Sequence, residues 1–235
     1  MFFPRQIQLS RNEQTGFSLL ELIVTIAIIA TLFTFIFPTF QRSVATSKNT
    51  KCLGQLRQIW NRMLIYTNEN QGSFPYAHTV EGYRFWPQDI NAAAGTQDIA
   101  SYICPSIKKE NLNKNLRELK GGYAYVSYGI NFYGISASTA TSRKDAPAHM
   151  IDLQHPEKTL AIIDCDDLSQ PYNGWYIAYG GRLRDEWDTV AARHQGRLNG
   201  IFCDGHAESM SKEALYTHPL NQEPWAQFIY LRERE

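Results

Sequence analysis

Apolar positions crowd one end of this chain. Between Phe17 and Phe37, sixteen of 21 residues are apolar, and at about 1.5 Å rise per residue a helix of that length matches a hydrocarbon layer of roughly 30 Å. The pattern then loosens without losing its period. From Gln41 to Tyr66, Leu53, Leu56, Trp60, Met63 and Leu64 recur at helical spacing, with Cys52 and Ile59 on the flank. Together the stretches predict one helix of about 50 residues, on the order of 75 Å long, bent near Pro38. After the turn-rich Asn68-Glu69-Asn70-Gln71-Gly72, short segments rich in aromatic and β-branched residues predict strands. These are Tyr83 to Trp86, Tyr123 to Ile130, Thr159 to Ile163, Trp175 to Tyr179 and Leu198 to Cys203. Ser136 to Pro147 is small and polar enough for a mobile loop. The expected class is α+β, a long hydrophobic N-terminal helix packed on a C-terminal antiparallel sheet.

Charge adds little globally and more locally. With 23 basic and 23 acidic side chains the formal net charge is zero, which points to no nucleic-acid partner. The helix continuation holds Arg42, Lys48, Lys51, Arg57 and Arg62 and no acid. Two readings stay open for it, a solvated face or a surface for headgroups and acidic neighbours. The segment before Phe17 carries only Arg5 and Arg11 against Glu13. A simple positive-inside count therefore favours a cytoplasmic downstream domain.

One acid, Glu21, interrupts the apolar run. A carboxylate deep in a bilayer costs about 2.5 to 3.5 kcal/mol, so such a residue has a partner and a role. A cleaved secretory signal ending near Ser43-Val44-Ala45 fits poorly, because its apolar region is usually about 7 to 15 residues long. Gly16-Phe17-Ser18-Leu19-Leu20-Glu21 before an uninterrupted apolar helix resembles the signal of type IV prepilins and type II secretion pseudopilins. The resemblance implies that prepilin peptidase cuts between Gly16 and Phe17 and that Phe17 is then N-methylated. It makes Glu21 the family's acidic assembly residue, pairing with a neighbouring subunit's amine, and Pro38 its helix-bending proline. It implies a cytoplasmic leader at 1–16, a transmembrane and assembly helix at 17–40, an exposed amphipathic continuation at 41–70 and a periplasmic or extracellular β-rich domain at 71–235. That orientation, in the bacterial inner membrane with one pass, is opposite to the one the charge count favours.

A second signature lies near the other end. His194 is followed by nine residues and then Asp204-Gly205, which resembles the processing-associated domain, named for that spacing, that accompanies prepilin signals in many bacterial proteins. Segments from Lys51 to Ile59, Cys104 to Ser106, Ser127 to Asn131 and Thr159 to Asp164 are similar to that subfamily too. Physically, Leu198 to Cys203 reads as a strand that turns at Asp204-Gly205 and pairs back through His206 to Met210. The competing reading is calcium or another divalent metal on Asp164, His194, Asp204 and His206, with Asp166 and Asp167 nearby. No other cofactor is expected.

Four cysteines, Cys52, Cys104, Cys165 and Cys203, allow three pairings in an oxidising compartment. Cys52 with Cys104 and Cys165 with Cys203 is the preferred set, and buried free thiols are the alternative. No nucleophile elbow, phosphate loop or zincin helix is present, so the chain reads as the substrate of an enzyme, with no catalytic residue of its own. Two functions remain. One is a pilus or pseudopilus subunit whose partners are membrane lipid, prepilin peptidase and other pilin-like subunits. The other is a membrane-anchored module that binds polysaccharide or another surface ligand. Exposed Trp and Tyr clusters favour the second; core aromatics beside a bare apolar helix favour the first.

Overall fold

In this computed structural model the described residues are 16–80, 84–107, 126–132, 134–136, 146–166, 174–178 and 189–217. The leader charges, Tyr83, Tyr123, Asp167, Tyr179 and nearly all of the Ser136 to Pro147 loop lie outside them. The chain divides into two compact units, Met1–Val44 and Ala45–Glu235.

A single 51-residue helix, α1 (Leu19–Glu69), runs through Pro38 without ending. In the first unit its large apolar side chains, from Leu19 to Phe40, are all exposed. Its few hydroxyls are satisfied within the helix, as a hydrocarbon environment demands. Thr25, Thr31 and Thr34 donate to the carbonyls of Leu22, Ile28 and Thr31 at 2.8, 2.8 and 2.6 Å.

In the second unit α1 turns one face to the core. Cys52, Leu56, Ile59, Trp60, Met63 and Thr67 are buried, a spacing of three and four that forms one stripe. The stripe is rotated from the expected one. Cys52 and Ile59 sit at its centre, whereas Leu53 and Leu64 are half-buried at its edge, because the covering sheet brings polar groups to Cys52. Arg62 is not part of a free basic face. It pairs with Asp98 at 2.9 Å and reaches Asn91 and Ser101.

The sheet has five strands in the order β5-β3-β4-β6-β7. They are β3 (Tyr128–Asn131), β4 (Leu160–Asp164), β5 (Ile177–Ala178), β6 (Arg197–Phe202) and β7 (Ala207–Ser211). Before them, β1 (His78–Thr79) and β2 (Arg84–Phe85) form a two-stranded ribbon. The sheet is mixed rather than antiparallel throughout, since β5 pairs with β3 in parallel. Its central strands are buried on both faces. One face, with Tyr128, Ile130, Ile162 and Ile201, packs into the cluster that holds α1. The other, with Ile163, Leu198 and Met210, covers a smaller cluster that takes in Leu215 of the C-terminal helix α3 (Lys212–Thr217).

Trp86 corrects another expectation, because it opens helix α2 (Trp86–Ala93) instead of closing a strand. Pro87 lacks a donor and suits a first helical turn, and the Gln88 side chain accepts the Phe85 N–H at 2.8 Å. The Trp86 indole then donates to the Tyr176 carbonyl at 2.7 Å, which ties α2 to the start of β5.

Candidate functional site

The N-terminal site is built by the first turn of α1. Ser18 precedes the helix, and its N–H donates to Glu21 Oε2 at 2.9 Å while the Glu21 N–H donates to Ser18 Oγ at 3.2 Å. This reciprocal pair is a capping box, which satisfies two of the donors that a helix start leaves open. Glu21 therefore has a local role that its reading as an assembly residue missed. The Ser-x-x-Glu spacing was the available signal. Phe17 is exposed beside it, and Gly16 has nothing within 4 Å of where a Cβ would stand.

The second site lies where α1 meets the sheet. Cys52 contributes from the buried stripe of α1, Cys104 from the loop after the short 3-10 turn Ala100–Tyr102, Asp164 from the end of β4 and His194 from the turn before β6. Strand alternation puts Asp164 on the same side as Ile162, facing Cys52. The His194 backbone is folded back by Gln195 and Gly196, both at positive φ, and exchanges hydrogen bonds with Arg197 at 2.8 and 3.1 Å. One donor atom from each residue lies within 4.8 Å of the other three, and all four residues are buried.

The contacts are specific. Cys52 Sγ donates to Asp164 Oδ1 at 3.8 Å, His194 Nε2 lies 3.4 Å from Cys104 Sγ and 3.3 Å from Asp164 Oδ2, and Ser106 Oγ meets His194 Nδ1 at 3.1 Å. The Tyr128 hydroxyl donates to Cys52 Sγ at 3.3 Å. Asp164 also accepts the Asn199 N–H at 2.8 Å and an Arg193 N–H at 3.2 Å. Arg193 is buried in turn and bonds Asp166 and the carbonyls of Ser127 and Cys165.

These neighbours set the protonation states. The Cys104 thiol is drawn down to about 5, first by its hydrogen bond with Cys52 and then, against burial, by that with His194. Cys52 is driven up by the same shared bond and by burial. Burial opposes a charge on His194, but its hydrogen bonds to Asp164 and Cys104 outweigh burial and push it up to about 9. Burial likewise opposes the Arg193 charge, and the carboxylates of Asp164 and Asp166 overcome it. The cluster can therefore hold a thiolate and an imidazolium in contact.

The structure divides the residues first read as one metal set. Asp164 and His194 meet, joined by two cysteines that were assigned to a disulfide. Asp204 and His206 instead pair with each other at 2.6 Å in the turn between β6 and β7, partly exposed. There the Asp204 carboxylate also accepts the His206 N–H at 3.0 Å, and Gly205 stands at φ +92 against Trp60.

All four cysteines are buried free thiols. Cys52 and Cys104 are neighbours, as the preferred pairing required. Cys165 and Cys203 are not. Cys203 donates to the Thr159 carbonyl before β4, whereas Cys165 follows the end of β4, on the order of 20 Å along an antiparallel pair. A disulfide spans Cα atoms no more than about 7 Å apart.

Comparison with known proteins bears on the first site. The family model described as the prokaryotic N-terminal methylation motif matches residues 11–37. No curated protein and no solved structure matches the chain. A methylation motif that runs directly into a 51-residue helix, apolar and exposed in its first half, makes this chain a type IV prepilin- or pseudopilin-like protein.

Proposed function

We propose that the chain is a structural subunit of a type II secretion pseudopilus or type IV pilus. Prepilin peptidase cuts between Gly16 and Phe17, Phe17 is N-methylated, and the mature chain polymerises from the inner membrane through the first half of α1, its C-terminal domain on the periplasmic side. The observation that carries this reading is the apolar half of α1, exposed from Leu19 to Phe40 directly behind the methylation motif. The second unit supports it. Trp60, Phe74, Trp86, Tyr102, Tyr128, Phe132, Tyr176 and Phe202 are buried there and Tyr66, Tyr76, Phe85 and Trp175 are half-buried, so these aromatic side chains serve the core.

Cleavage leaves an amine on Phe17, and the open N–H groups and dipole of a helix start favour a nearby anion. Glu21 serves that purpose within its own chain as the cap and between chains as the partner of a neighbour's amine. The test is mass spectrometry of the mature N-terminus from a host with an active prepilin peptidase. An N-methylated Phe17 is expected; an intact leader, or a start after Ala45, overturns the reading.

A further inference from the structure

The geometry points to a zinc site formed by Cys52, Cys104, Asp164 and His194 at the junction of α1 and the sheet. Two thiolates, an imidazole and one carboxylate are zinc donors, and thiolates select zinc over calcium, which takes six to eight oxygens. Of the divalent-metal set Asp164, His194, Asp204 and His206, the proposed site keeps Asp164 and His194 and adds the two cysteines.

Separations close to those of a tetrahedral zinc site are already present, and one donor atom from each residue lies within 4.8 Å of the other three. Tetrahedral zinc with bonds of about 2.3 Å to sulfur and about 2.0 to 2.2 Å to nitrogen and oxygen sets S···N, S···O and N···O edges near 3.5, 3.6 and 3.4 Å. The corresponding separations are 3.4 Å for Cys104 Sγ to His194 Nε2, 3.8 Å for Cys52 Sγ to Asp164 Oδ1 and 3.3 Å for His194 Nε2 to Asp164 Oδ2, the last two to different oxygens of one carboxylate, so a small turn of the Asp164 side chain presents one oxygen to the ion.

The surroundings are those of a ligand set held in place. Ser106 on Nδ1 of His194 fixes the ring with Nε2 toward the sulfur and the carboxylate, the outer contact that metal-bound imidazoles commonly make. Tyr128 holds Cys52, and Arg193 with the Asn199 N–H holds Asp164. Charge agrees as well. Two thiolates and the Asp164 carboxylate carry three negative charges, and with Arg193 shared between Asp164 and Asp166 a divalent ion offsets most of the rest. Binding needs two thiolates and an imidazole with its Nε2 lone pair free, so two protons leave, one from Cys52 and one from the Cys104–His194 pair, as two Zn–S bonds form with no redox step. The Oδ1 atom of Asn199, a residue fully buried beside Cys52, has no hydrogen-bond partner. A disulfide between Cys52 and Cys104 needs neither the imidazole nor the carboxylate that converge on the same point.

The test uses the full-length chain in detergent, purified without chelator or reductant. Elemental mass spectrometry is expected to find one zinc per chain. Exchange with cobalt(II) is expected to give thiolate charge-transfer absorption and the intense visible bands of a tetrahedral ion. Cys104→Ser and His194→Ala lose stoichiometric zinc and those bands, while Cys203→Ser, a buried thiol outside the cluster, keeps both. If the site variants fail to fold, the cobalt spectrum of the unaltered chain and its loss to a chelator decide the matter. A Cys52–Cys104 disulfide in the chain as isolated overturns the assignment. So does a yield below about half an equivalent of zinc after reduction and reconstitution with zinc chloride. The outcome is independent of leader cleavage, so its failure and the failure of the pilin reading are separable.

Discussion

Replacing Arg193 with methionine removes the guanidinium that faces the buried Asp164 carboxylate. The Arg193 side chain is 3 % exposed and that of Asp164 is 0 % exposed, so solvent cannot take over the lost partner. Breaking a buried ion pair from one side costs about 3 to 5 kcal/mol. Two features place this case at the lower end. Asp164 keeps the Asn199 N–H and the His194 contact, and the Ser127 carbonyl keeps the Cys165 N–H at 2.9 Å. A loss of about 3 kcal/mol is expected, a large share of the roughly 5 to 15 kcal/mol that stabilises a domain. Arg193→Lys, which keeps the charge but not the fork that reaches Asp166 and two carbonyls, should lose about 1 to 2 kcal/mol. Both are read by urea unfolding of the full chain in detergent with chelator present, followed by the summed emission of its five tryptophans, of which Trp60 and Trp86 are buried. With a slope of about 1 to 3 kcal/mol per molar urea, the methionine variant should shift the midpoint by at least about 1 M. A variant within about 0.5 kcal/mol of the parent refutes the argument that Arg193 compensates a buried charge.

Three further outcomes follow from separate features. Glu21→Gln keeps an acceptor for the Ser18 N–H but no charge, and Glu21→Ala keeps neither; both should be cleaved by the peptidase and both excluded from filaments. Normal incorporation of the glutamine variant in a pull-down of assembled filaments would reduce Glu21 to a helix cap. Gly54→Ala, in the interior of α1 with nothing within 4 Å of the new Cβ, should stabilise by about 0.5 to 1 kcal/mol and raise Tm by about 1 to 4 °C. Gly205→Ala meets both a positive φ and Trp60 Nε1 at 3.0 Å. It should cost about 1 to 3 kcal/mol and change Trp60 emission, and an unchanged spectrum would show that the turn is not seated on α1.

The long helix and the β6–β7 hairpin were legible because each rests on a local pattern, an apolar run in one case and Asp-Gly after the apolar Ile201-Phe202-Cys203 in the other. Leu56, Trp60 and Met63 were legible as core for the same reason. What escaped needed information that neighbours in sequence do not carry. The parallel pairing of β5 with β3 depends on how the chain crosses between them, and a two-residue strand has too few positions to show a period. Trp86 looked like strand by residue type, while the helix there is set by Pro87 and the Gln88 cap. The buried cluster was the most hidden. Cys52 and His194 stand 142 positions apart, and no paired-cysteine or paired-histidine spacing joins any two of its members, so the sequence offered a disulfide and a carboxylate-histidine set as separate ideas.

The strand β6 is moored to α1 at two points, where the Asn199 side chain donates to Asn49 at 2.7 Å and where Gly205 abuts Trp60. From Asn199 to Phe202 the strand covers roughly 10 Å at about 3.3 Å per residue, and the chain then closes a tight turn in which the Gly205 N–H donates to the Phe202 carbonyl. The residues from Asn199 to Asp204 therefore decide which side chain faces α1 and which residue of the turn meets Trp60. One residue more or fewer within β6 would, because strand side chains alternate, turn Asn199 away from its helix. Part of the fixed gap between His194 and Asp204 is thus a strand register, written in the sequence as a count.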